Sequence, residues 1–214
     1  MHGALEVLWQ SPEHAVAALV LAHGAGAGMR HASMQAIADA FERRGIATWR
    51  FDFPYMAAGR SRVDPPDVAT QALAEAYTAV SERTKLPIWL GGHSFGGRMA
   101  SHAVLDRKLP AAGLIFCSFP LHMPGKPDTK RAEHLPSIKQ PMLFLSGTRD
   151  ELAERELLEP LVRSLPTASL HWLDTADHGY RVLKRTRART DSVFDEMAEA
   201  ARAFVDAHPG RAAR

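Results

Sequence analysis

Three residues of this chain, Ser94, Asp150 and His178, could together carry out acyl transfer. A serine hydroxyl is a weak nucleophile at neutral pH. It needs a base to take its proton, and a carboxylate to orient that base when the base is histidine. Ser94 lies in Gly92-His93-Ser94-Phe95-Gly96, between the apolar run Leu86 to Gly91 and a helix-compatible stretch from Arg98 to Leu105. Strand, sharp turn and helix, with serine at the apex, is the geometry that exposes a nucleophile at the edge of a sheet. Small residues must flank so tight a turn, and Gly92 and Gly96 meet that need, with Gly97 adding room. The same geometry places the Phe95 N–H at a helix N-terminus, where it can stabilise a developing oxyanion.

The acid and the base are expected after later strands. Met142 to Ser146 reads as a strand, and Gly147-Thr148-Arg149-Asp150 as its turn. Ser169 to Leu173 reads as the last strand, and His178 falls in the loop from Thr175 to Gly179. In doubly wound hydrolases the chain order is Ser, acid, His, and all three then meet at one edge of a parallel sheet. Each residue has a plainer reading. Ser94 could cap a helix, Asp150 could cap one starting at Glu151, and His178 is one of 11 histidines. Order and placement together favour the triad. Asp174 and Asp177 are competing acids, but so close to His178 that local hydrogen bonding is their natural role.

A second oxyanion donor should come from the loop after the apolar run Ala15 to Ala22. His23-Gly24-Ala25-Gly26-Ala27-Gly28 lets a backbone approach a substrate, with the N–H of Ala25 the first choice and Gly24 the alternative. Read as a phosphate cradle, this loop lacks both the Lys-Ser/Thr of a P-loop and dinucleotide spacing. No cluster of His, Cys and carboxylates has metal-ligand spacing, and no cofactor is expected.

The elements that must position these groups alternate. Strands are expected at Leu5 to Trp9, Ala15 to Ala22, Ile46 to Phe51, Leu86 to Gly91, Ala112 to Cys117, Met142 to Ser146 and Ser169 to Leu173. Helices are expected at Ser33 to Arg44, from an Asp67 cap to Arg83, to about Lys108 after the elbow, at Glu151 to Ser164, and at the C-terminal end, where Val193, Phe194, Met197, Ala200, Ala201 and Phe204 recur at helical spacing. The fold class is therefore α/β: a doubly wound, mostly parallel sheet of about seven strands with helices on both faces, in one domain spanning 1–214. Ser118 to Gln140 holds Pro120, Pro124, Pro127 and Pro136 and shows no helical period.

Composition bounds the rest. The 214 residues suit one core, and a net charge of +2 argues against a nucleic-acid partner. The single cysteine, Cys117, permits no disulfide within the chain and reads as a buried thiol. The N-terminus does not read as a signal peptide and no run is long enough to span a bilayer, so a cytoplasmic protein without membrane contact is expected. The basic run Lys184-Arg185-Thr186-Arg187-Ala188-Arg189 reads as a solvated face at the start of the last helix, with anion binding as the alternative. Oligomeric state is not readable.

The chain resembles the α/β-hydrolase superfamily, in particular its small lidless members: dienelactone-hydrolase-like proteins and bacterial relatives of the testis-expressed and NSL-complex-subunit hydrolase-like proteins. The residues carrying this are Leu21 to Gly28, Arg50-Phe51-Asp52-Phe53-Pro54-Tyr55, Gly91 to Arg98, Gly147 to Asp150 and Asp177-His178. The resemblance implies a serine hydrolase triad. True dienelactone hydrolases use Cys where this chain has Ser94, so that activity is not carried over. Some eukaryotic relatives serve as complex subunits, which implies the alternative of a non-catalytic binding or scaffold protein. Larger members insert a helical cap where this chain has only Ser118 to Gln140, so an open, lidless site is expected, taking a small soluble ester or thioester. Met29, Arg30, Tyr55, Met56, His122 and Tyr180 are candidates for its mouth.

Overall fold

A computed structural model describes residues 6–210. Its frame is a seven-stranded sheet: β1 (Val7–Gln10), β2 (Ala17–Ala22), β3 (Ile46–Phe51), β4 (Ile88–His93), β5 (Leu114–Cys117), β6 (Met142–Gly147) and β7 (Ala168–Leu173), in spatial order β1-β3-β2-β4-β5-β6-β7. Only β1 runs antiparallel, pairing Trp9 with Trp49 of β3. The parallel ladder sets Val20 beside Leu90, Gly92 beside Phe116, and Cys117 beside Leu145.

Strands β2 to β6 are buried along nearly their whole length because helices cover both faces. Side chains alternate between two cores, as the two-residue period of a strand requires. In β2, Ala18, Val20 and Ala22 face one core, and Ala17, Leu19 and Leu21 the other. The first core is closed by α3 (Pro66–Arg83), α4 (Phe95–Asp106) and α5 (Arg155–Ser164). The second is closed by α1 (Ala32–Arg43) and α6 (Val193–Ala207), with Trp89 edge-on to Phe204. One further short helix, α2 (Pro54–Ala57), follows β3 where no helix is expected from the sequence, because Pro54 at its first position presets the helical φ.

Several boundaries differ from the sequence reading for local reasons. Leu5, the expected start of the first strand, lies outside the described residues. Asp67 does not cap α3: Pro65 is the cap and Pro66 the first helical residue. Asp67 sits in the first turn, where its charge suits the helix dipole, and its carboxylate and carbonyl accept from Arg107. Helix α5 starts at Arg155 rather than Glu151, because Asp150 Oδ1 accepts the Leu152 N–H at 2.9 Å and holds 150–153 in a turn. The basic run is not the start of α6. That helix begins at Val193 behind Ser192, whose hydroxyl accepts the Phe194 N–H at 3.1 Å. Within the run, Arg187 is buried on Glu196 and the Asp174 carbonyl, and Arg189 pairs with Asp191 and Glu199.

The segment from Ser118 to Gln140 holds two single-turn 3₁₀ helices, Lys130–Ala132 and Leu135–Ser137, and no α-helix. It seals the first core with Phe119, Leu121, Ala132, Leu135 and Ile138, so no cap rises over the sheet. Two contacts fasten it to the Asp150 turn: Leu121 N–H donates to Leu152 O at 2.8 Å, and His122 Nε2 meets Glu154. Burial alone would lower the His122 pKa. The Met123 carbonyl and the Glu154 carboxylate outweigh it and raise that pKa above the ordinary 6.5. This pair therefore contributes fully below pH 6.5 and is lost as pH rises through the raised value. Exchange of the Leu121 amide, corrected for its intrinsic rate, is expected to quicken over that rise in wild type and to lose the step in His122→Gln. A step that persists in the variant would contradict the assignment.

Candidate active site

Ser94 stands between the end of β4 and the start of α4 with φ 51° and ψ −113°, a conformation that L residues rarely adopt. Its neighbours permit this. Gly92 has φ 151°, and a Cβ there would lie 2.1 Å from the Ala22 carbonyl oxygen; one on Gly96 would lie 2.4 Å from the same atom. Backbone cannot yield as a side chain can. Gly92→Ala is expected to cost at least about 4 kcal/mol, a large share of a typical domain's stability. A thermal midpoint close to wild type would contradict this.

The serine hydroxyl does not cap α4. It lies 2.9 Å from His178 Nε2. His178 Nδ1 lies 2.9 Å from each oxygen of Asp150. The Asp150 side chain is fully shielded from solvent, and His178 is about a quarter exposed. The three residues follow β4, β6 and β7, and the parallel sheet brings those strand ends to one edge. The competing acids are occupied locally. Asp177 Oδ1 accepts the N–H groups of Gly179 and Arg181 at 2.9 Å each, and Asp174 lies by the Ala188 N–H.

The loop carrying Gly24 and Ala25 is pinned from below. His23 is fully buried, and its Nε2 accepts the Phe53 N–H at 3.0 Å. Its proton is therefore on Nδ1, which donates to Gly24 O at 2.8 Å. Burial lowers the His23 pKa and keeps the ring neutral. Asp52 accepts the Met29 N–H at 2.6 Å, and Arg50 donates to the Met29 carbonyl at 3.2 Å. On the other side, the Ser94 N–H is spent on Cys117 O at 3.0 Å. The Phe95 N–H, first in α4, has no partner among the described residues.

His93 is a site residue that sequence reasoning missed. Its Nε2–H donates to the His178 carbonyl at 3.0 Å, and its Nδ1 faces Gly24, where a Cβ would come within 2.7 Å. Burial pulls its pKa to about 4, so it is a neutral strut between the elbow, the His178 loop and the glycine loop. The variable position of a G-x-S-x-G motif carries no signal for such a role.

A cleft of about 750 Å³ opens above Ser94 and His178, with Gly24 and Ala25 on one wall and Pro124 and Leu152 on another. Its rim carries Arg149 and Arg181 against Glu151 and Asp177, with His31 beside them. The side chains expected at its mouth are elsewhere. Met29, Tyr55, His122 and Tyr180 are buried, and Met56 packs on the first core. Tyr180 lies between His93 and Phe194, with burial raising its pKa well above 10. Arg30 pairs with Glu6 in solvent. Large side chains beside these loops were claimed by the cores, leaving the walls to short and charged residues. Arg149 and Arg181, close to Asp150 and His178 in sequence, were the available signal.

Cys117 is fully buried, and burial pushes its thiol up to about 12. No group of three or more His, Cys, Asp or Glu among the described residues could hold a metal ion. No helix among them is long and apolar enough to cross a membrane.

Known structures share this architecture at low identity. A dienelactone hydrolase from Anabaena variabilis superposes with a TM-score of 0.74 and 18% identity, over 96% of this chain and 94% of that one. An α/β serine hydrolase homologue from Coxiella burnetii gives 0.70 and 21%, over 95% and 91%. An α/β serine hydrolase without a lid from Xanthomonas campestris gives 0.69 and 18%, over 96% and 90%. These likenesses establish the fold. The profile of the α/β hydrolase domain family matches residues 15–206, and the chain belongs to that family.

Proposed function

We propose that this protein is a serine hydrolase of small, soluble carboxylic esters or thioesters. The observation that carries the reading is the continuous relay from Ser94 Oγ through His178 to Asp150, each step at 2.9 Å. His178 Nε2 takes the serine proton as Oγ attacks the carbonyl carbon. The resulting oxyanion is held by the N–H groups of Phe95 and Ala25, with Gly24 the alternative second donor. Asp150 keeps the imidazole proton on Nδ1 and stabilises the imidazolium. His178 then returns the proton to the leaving alcohol or thiol, leaving an acyl-Ser94. Water, deprotonated by His178, hydrolyses it.

Substrate class follows from the walls. With no cap over the site, a long acyl chain would extend from the open cleft into solvent, so short substrates fit best. The test is a fluorophosphonate reagent read by intact mass. One adduct is expected on wild type and none on Ser94→Ala. An unlabelled but folded wild type would overturn the reading and favour a binding or scaffold role.

A further inference from the structure

The flank of α4 below the elbow carries a cluster of basic groups that the proposed chemistry does not use. Arg98 and His102 lie one turn apart on α4. Facing them, the 3₁₀ segment carries Arg131 and His134. The His102 and His134 rings stack at 3.8 Å between centroids and 17° between planes. Buried Ser101 sets the tautomer: its hydroxyl donates to Arg98 O at 2.6 Å and so accepts from His134 Nε2–H at 2.7 Å. Arg131 donates from Nη1 to His122 O at 2.8 Å and from Nη2 to Met123 Sδ at 2.6 Å. The half-buried Arg98 guanidinium has neither a hydrogen bond nor an ion pair among the described residues.

A planar guanidinium with five donors is seldom left so. The acids nearby sit at the ends of the cluster: Asp106 one turn past His102, and Asp128 near Arg131 with one oxygen on the Lys130 N–H. The cationic forms are correspondingly disfavoured. Burial, then the charge of Arg131, lowers the Arg98 pKa. Burial, then His102 and Arg98, pulls His134 to about 4. Two guanidiniums, Arg98 without any side-chain bond among the described residues and Arg131 beside it, with two partly exposed imidazoles that can gain protons, are an environment that a bound anion relieves.

We propose that Arg98, Arg131, His102 and His134 form a binding site for an oxyanion, phosphate or carboxylate, on the flank of α4. None of the four lines the cleft. The segment carrying Arg131 also carries Pro124, which does, so the anion is either a free ligand or the charged arm of a substrate reaching past Pro124. The site does not depend on the hydrolase reading.

The probe is inorganic phosphate at constant ionic strength near pH 6.5. At a hundredfold excess over Kd the thermal midpoint is expected to rise by about 5 °C, and Arg98→Gln should lose most of that rise. In wild type, imidazole NMR should show His102 and His134 moving first and the His134 pKa climbing from about 4. No response, an equal response in Arg98→Gln, or movement confined to the cleft histidines His31 and His178 would overturn the proposal. If Arg98→Gln does not fold, Arg131→Gln and the wild-type NMR titration decide. A phosphate-bearing ester against its neutral analogue separates the sources. A KM raised by Arg98→Gln for the charged ester alone marks a substrate arm, and unchanged KM values with phosphate still bound mark a free ligand.

Discussion

Ser94→Ala is expected to cut kcat on a short-chain ester by about a million-fold while the thermal midpoint stays close to wild type. The two halves have separate causes. Among the described residues the hydroxyl's only side-chain partner is His178, and in the proposed mechanism it is the sole nucleophile. The fold makes no use of it: the hydroxyl does not cap α4, and the residue's structural bonds are made by its backbone, the N–H on Cys117 O and the carbonyl accepting the Arg98 N–H. Alanine keeps both bonds, and its smaller side chain adds no contact to a backbone already at φ 51°. A variant retaining more than a hundredth of wild-type turnover would remove Ser94 from the mechanism.

Asp150→Asn is expected to lower kcat by about ten-thousand-fold with little change in KM. The Leu152 N–H needs an acceptor on this side chain, so the amide oxygen takes that place and holds the turn. The amide NH₂ then faces His178 Nδ1, which must accept instead of donate. That moves the imidazole proton to Nε2, facing Ser94 Oγ, where the base should be empty. Circular dichroism and thermal melting separate this effect from misfolding. A kcat within tenfold of wild type would mean that another carboxylate orients His178. Asp177 and Asp174 are already engaged with the backbone of their own loop.

What could be read from the sequence was what depends on neighbours in the chain. Gly92 and Gly96 announce the elbow because only a residue without Cβ tolerates a carbonyl at 2.1 or 2.4 Å. The apolar run ending at Ala22 announces a strand covered on both faces. Ser94, Asp150 and His178 could be proposed because each ends a strand–turn pattern. The cleft walls could not, because they depend on which side chains the cores leave free. Tyr55 and Tyr180 carry polar tips suited to a rim, yet their rings complete packed aromatic clusters around His23, His93 and Phe95. The roles of His23 and His93 were hidden for a similar reason, since their partners Phe53 and His178 lie 30 and 85 residues away. Pro65 displaced Asp67 as a cap through a backbone preference that a search for capping side chains overlooks.

The strand order has a consequence for biosynthesis. From β4 onward each new strand adds at the outer side of the last, so β7 docks at the growing edge after all the others. His178 follows β7, and its loop is packed by Phe194 at the start of α6. A nascent chain emerging from the ribosome therefore presents the elbow of Ser94 and the turn of Asp150 before His178. On the proposed mechanism, Ser94 remains unactivated until nearly the last helix is synthesised and packed. Recovery of serine reactivity during refolding then reports completion of the whole sheet, and should lag behind the burial of Trp89 on central β4.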